Sequence, residues 1–158
     1  MNKLEKLEQE AFDDKVSVHD YYLGEENLKG IYIDGNIAIN TSVETTREKA
    51  CVLAEELGHH HTTVGNISDL SVPENRKQER KARLWAYNNQ IGLHGLVNAY
   101  RHGCTSRHEI AEYLDVTEDF LQEAIDCYRD KYGVSTTVDG YCIIFIPALT
   151  VGRIDFSI

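Results

Sequence analysis

The segment Leu53–Thr63, reading Leu-Ala-Glu-Glu-Leu-Gly-His-His-His-Thr-Thr, sets two carboxylates and an imidazole at helical spacing. Positions four apart share one helix face, so Glu55 and His59 converge on a single point. Glu56, turned by about 100° from Glu55, is close enough to hold a water at that point. A hydrolytic metal centre takes three protein ligands and keeps one position for water. The third ligand must come from elsewhere, and Glu79 is the candidate. A turn-rich connection between two antiparallel helices would return it over the Glu55–His59 face. The pattern is one letter from the zinc-protease signature His-Glu-x-x-His, with Glu55 standing where the first histidine belongs. A carboxylate-rich donor set of this kind binds zinc less tightly than two imidazoles would, but it is chemically sound. The same letters also describe a charged helix whose terminal histidines complement its dipole.

His60 and His61 complicate the assignment. Consecutive helical residues point apart, so three successive histidines cannot all reach one ion from a regular helix. A helix ending near Gly58 would let His60 swing in and take the place of Glu55. A helix running on leaves His60 and His61 as solvated end residues. His94, His102 and His108 lie on helical segments without a partner motif and are read as structural or exposed.

The surrounding elements must position these groups. Leu4, Leu7, Ala11, Phe12 and Val16 fall at helical spacing, so the first 20 or so residues read as a helix. Two β-rich runs, Ile31–Ile33 and Ile37–Ile39, flank Asp34-Gly35 and predict a hairpin. Thr45 or Thr46 followed by Glu48 resembles a helix cap, opening the helix that carries Glu55 and His59. Residues 62–75 are polar and turn-rich and read as a loop. From Arg76 a long helix follows, with Ala82, Trp85, Ala86, Leu93, Leu96 and Val97 on or near one face. It has break points at Gly92 or Gly95 and stops at Gly103. A short helix, a tight turn at Asp115-Val116 and a helix capped by Thr117 come next. Asp139-Gly140 then separates two further β-rich runs.

With 158 residues, 42% hydrophobic and 27% charged, the chain is of ordinary globular composition and sized for one domain with a small appendage. A formal net charge of −10 argues against general affinity for nucleic acid. Cys51, Cys104, Cys127 and Cys142 form no Cys-x-x-Cys pair, which suits reduced thiols in a cytosolic protein. The first residues contain no apolar signal core, and no run reaches the roughly 18 apolar residues of a membrane span. These features place the chain inside the cell and away from membranes.

Taken together, "ENLKGIYIDGNIAIN", "EKACVLAEELGHHHTT", "NRKQERKARLWAYNNQI" and "AEYLDVTEDFLQEAIDCYRDKYG" resemble, in order and over most of the chain, the ImmA/IrrE metallopeptidases of prophages and integrative elements. In that family the His-Glu-x-x-His helix is followed by one reading roughly Glu-x-x-Ala-x-x-Phe-Ala, matched here by Glu79, Ala82, Trp85 and Ala86. The resemblance implies an α+β, mostly helical, gluzincin-like fold, with an N-terminal β-hairpin next to the active-site helix. It assigns Glu56 as the catalytic glutamate, His59 and Glu79 as ligands of Zn2+ or another divalent metal, and Glu55 to the place of the first histidine. Asp69 is a candidate to orient His59 from behind, its alternative being a turn or cap residue. The function implied is that of an antirepressor in a bacterial host, a zinc endopeptidase cleaving a phage-type helix-turn-helix repressor. The alternative is a peptidase-fold protein that captures the repressor without cutting it.

The expected division is a peptidase-like part, residues 1–103, with residues 104–158 packed on it as a helix-turn-helix-like pair followed by a hairpin. Ile110, Leu114, Val116, Phe120 and Leu121 have the pattern of a helix-turn-helix core. The second helix begins "TEDFLQ", acidic where a helix reading the major groove needs Arg, Lys, Asn or Gln. Docking against protein is favoured over direct binding of nucleic acid.

Overall fold

A computed structural model describes residues 1–24, 27–62 and 73–155, and among them the chain is a mixed α+β fold. It divides into two compact units, Met1–Asn89 and Gln90–Ile158, the division falling ahead of the boundary expected at Gly103.

The first unit opens with α1, Lys3–Asp13, held at its start by a capping box. The Asn2 side chain accepts from the Glu5 amide at 2.8 Å, and the Glu5 carboxylate accepts from the Asn2 amide at 3.0 Å. Leu7 and Ala11 are buried where α1 packs on α2, Thr46–Thr62. The helix stops at Asp13 and does not run through the first 20 residues, because the chain turns at Lys15 into β1, Ser17–Tyr21. The expected helix is corrected at this point. Val18 and Asp20 pair with Ile37 and Ile39, a long-range parallel partnership that local spacing does not announce.

The predicted hairpin is present as β2, Gly30–Ile33, and β3, Asn36–Asn40. Asp34 and Gly35 both take positive φ, 46° and 79°, the twist that a two-residue turn between antiparallel strands requires. The sheet order is β1-β3-β2, so β3 is central and buries Ile37 and Ile39. Asn40, at its end, is fully buried and satisfied. Its amide donates to the carbonyls of Gly24 (2.9 Å) and Leu28 (2.8 Å) and accepts from the amides of Leu23 (3.3 Å) and Ser42 (3.2 Å). One side chain thus ties the connection between β1 and β2 to the end of β3.

Thr45 caps α2, its hydroxyl accepting from the Glu48 amide at 3.1 Å. This helix lies between α1 and strands β2 and β3, which explains why Val52, Leu53, Ala54 and Leu57 are buried nearly all round it. The next helix, α3, spans Pro73–Gln90. Its first residues were read as loop. Proline suits that first turn, where its missing N–H would have had no partner. A methyl group built on Gly58 of α2 would collide with the backbone of Ala82 of α3, so the two helices touch main chain to main chain.

In the second unit, α4 (Gly92–His102) starts after the break at Gly92, where φ is 66°, and ends at a left-handed Gly103. α5 (Arg107–Leu114) is capped by Ser106, and α6 (Glu118–Tyr132) by Thr117, with a left-handed Asp115 between them. Val116, Leu121, Ala124 and Tyr128 are buried. Strands β4 (Ser135–Val138) and β5 (Tyr141–Ile144) form the expected hairpin, and a third strand, β6 (Thr150–Arg153), extends it. Among the described residues no helix is long and apolar enough to cross a membrane.

Replacing Asn40 with Ala strands two carbonyls and two amides that it now satisfies. Urea unfolding of Asn40→Ala is expected to show a loss of about 3 kcal/mol, with an unchanged slope against denaturant.

Candidate active site

The chemistry gathers where α2 and α3 cross. Contact at Gly58 and Ala82 brings the next residue of α2, His59, against Glu79, which lies one turn before Ala82. His59 Nε2 lies 3.1 Å from Glu79 Oε2, and the other oxygen of Glu79 accepts from Arg83 Nε at 3.0 Å. Arg83 sits four residues after Glu79 on the same helix, a spacing at which opposite charges meet. The pairing was therefore available to sequence reasoning and was missed.

Glu56 is only 9% exposed. Strand β2 covers it: a Cβ on Gly30 would come within 2.7 Å of Val52 Cγ1 and 3.0 Å of Glu56 Cγ. A side chain at position 30 would displace the carboxylate, so a glycine is needed for close approach of the strand. Burial pushes the Glu56 pKa up to about 7; His59 opposes the rise, and the charges of Glu55 and Glu79 add to it. Burial works to lower the pKa of His59, but its hydrogen bond to Glu79 and the charges of Glu79, Glu56 and Glu55 together hold it above the ordinary value. Glu79 is held below the usual carboxylate range, first by its hydrogen bond to His59.

Glu55 is half-buried and within electrostatic reach of Glu56, His59 and Arg83. The four residues singled out by spacing, Glu55, Glu56, His59 and Glu79, therefore share one neighbourhood. Three carboxylates around one imidazole, one of them buried with a pKa near neutrality, form a donor set that a divalent cation would neutralise. Oxygen and imidazole donors suit such an ion in kind, but among the described residues the ligand atoms of Glu55, His59 and Glu79 do not all lie within 4.8 Å of one another as they stand.

His60 does not take the place of Glu55. The helix runs unbroken to Thr62, so His60 is rotated away from His59. Its Nδ1 meets the Tyr32 hydroxyl at 2.9 Å, and its Nε2 faces Asp14. Nor are His60 and His61 freely solvated: their side chains are 25% and 29% exposed, and the His61 ring stacks on Trp85 at 4.6 Å. Asp69 lies outside the described residues. His94 and His108 are exposed and pair with Asp139 and Glu118, and His102 stacks on Tyr113. At the front of α6, Glu118 engages both Arg107 and His108.

Compared with known protein families, residues 8–126 match Peptidase M78, the IrrE N-terminal-like domain. The match takes in all four residues and reaches through α5 into α6 of the second unit. No curated protein and no solved structure matches the chain.

Because the folded pKa of Glu56 is raised from 4.5 to about 7, its contribution to stability is present below pH 4.5 and lost as pH rises through 7. In metal-stripped protein, Glu56→Gln should therefore gain stability relative to wild type between these pH values, by on the order of 3 kcal/mol. Paired urea titrations at pH 4.5 and pH 8 measure the gain, which includes the coupled change at His59.

Proposed function

The chain belongs to peptidase family M78, the IrrE N-terminal-like domain, and from that membership we propose that it is a zinc-dependent endopeptidase. Its target is a phage-type helix-turn-helix repressor in the cytoplasm of a bacterial host, which makes the protein an antirepressor. The observation that carries the reading is geometric: a buried glutamate, Glu56, lies on α2 beside the His59–Glu79 pair, which meets at 3.1 Å.

In this reading Glu55, His59 and Glu79 hold the cation, zinc or another divalent ion suited to the same oxygen-rich donors. When bound, the ion supplies Lewis acidity toward the scissile carbonyl. Glu56 does the proton work. Its buried carboxylate would accept a proton from the attacking water and return it to the leaving amine. The direct His59–Glu79 contact at 3.1 Å is one that a shared cation would replace, and Arg83 steadies the other oxygen of Glu79. Strand β2 is the outer strand of its sheet and carries Gly30 against Glu56. An extended substrate segment pairing with that edge would pass beside the carboxylate. The net charge of −10 favours encounter with a repressor bearing basic DNA-binding surfaces. The acidic front of α6, its neighbouring cations already engaged by Glu118, suits a protein contact better than a nucleic-acid one.

A second reading rests on Glu55. With a carboxylate where the motif has histidine, the domain serves as a binder that removes the repressor from its operator without cutting it. Incubation with the repressor encoded beside this protein separates the two. Wild type should release defined fragments, Glu56→Gln should slow cleavage at least about 100-fold, and both should bind the repressor equally. Cleavage unchanged by the substitution removes Glu56 from the mechanism. Binding by wild type with no cleavage establishes the second reading.

A further inference from the structure

We propose that Asp14, His60 and His61 form a second divalent-cation site, one that clamps the end of α1 to the last turn of α2. Ligand atoms of Asp14, His60 and His61 all lie within 4.8 Å of one another. Asp14 Oδ2 is 3.9 Å from His60 Nε2 and 3.5 Å from His61 Nε2, and Glu10 Oε1 is 3.2 Å from His61 Nε2. Donors on a tetrahedron around zinc, each about 2.1 Å from the ion, stand about 3.4 Å apart. The two carboxylate–imidazole spacings of Asp14, 3.9 and 3.5 Å, lie near that value, and Glu10 stands beside the cluster on His61.

Both imidazoles are already oriented for this. The Tyr32 hydroxyl engages His60 Nδ1 at 2.9 Å, leaving Nε2 as the nitrogen that faces the carboxylate. Stacking on Trp85, with ring planes 27° apart, fixes the His61 ring. A partner that fixes the ring of a histidine is the arrangement by which metal ligands are held. Two imidazoles and a carboxylate, with one position left for water, suit a transition-metal dication of the zinc class. None of the three residues belongs to the Glu55–His59–Glu79 set, and this inference does not rest on the peptidase reading.

The test uses the full chain, stripped with chelator and equilibrated by dialysis against Zn2+ alone, with bound metal counted by elemental analysis. The variant His59→Asn/Glu79→Gln, which removes the site at the helix crossing, is expected to retain one zinc per chain. Adding Asp14→Asn or, separately, His61→Asn should abolish that zinc. The thermal midpoint of the His59→Asn/Glu79→Gln protein should rise by several degrees with zinc, and the rise should vanish with either added substitution. The midpoint without zinc shows whether each variant is folded. The inference is overturned if the folded His59→Asn/Glu79→Gln protein binds no zinc, or if its zinc survives both Asp14→Asn and His61→Asn. Should wild type bind a single zinc that depends on Asp14 and His61 alone, the clamp stands and the cation at the helix crossing fails.

Discussion

The backbone contact between Gly58 and Ala82 governs the candidate site. Two helices whose axes are separated by ordinary side chains would hold His59 and Glu79 too far apart for a direct bond. With hydrogen on one side and a carbonyl on the other, α2 and α3 approach until imidazole and carboxylate meet at 3.1 Å. Ala82, on the α3 side of the contact, is fully buried. Small residues at a crossing surrender apolar area but gain positional accuracy, and accuracy is what a catalytic constellation needs.

The second constraint is the closeness of β2 to α2 at Gly30. It removes Glu56 from water while leaving it among charges of its own sign, and the pKa rises as a result. The sheet therefore acts on the candidate site through what it excludes. Asn40 secures the far end of β3 and the chain that leads into β2. Through it, the accuracy of the edge strand beside Glu56 depends on a residue far from the site in sequence.

Much of the local structure was legible in the residues. The Asp-Gly pairs at 34–35 and 139–140 mark turns because both positions need positive φ, and both hairpins are present. Thr45 and Thr117 mark helix starts because a short hydroxyl side chain satisfies an otherwise orphaned amide. Strand β1 was not legible, since its partner is β3 and a parallel pairing leaves no local trace. Strand β6 escaped for a similar reason, its identity coming from the partner β5. The fate of His60 turned on whether α2 stopped at Gly58. Glycine is a helix breaker by propensity, but here burial of both helix flanks carries α2 past it.

The sequence by itself determined which residues could do chemistry: Glu55, Glu56 and His59 at helical spacing, and Glu79 on a helix of the matching family pattern. Spacing along a helix is a local property, fixed by 3.6 residues per turn. Only the tertiary structure decided how the histidines are divided between partners. His59 is turned toward Glu79, and His60 and His61 toward Asp14. That division depends on which helix packs on which face of α2, and packing is set by burial across the whole unit.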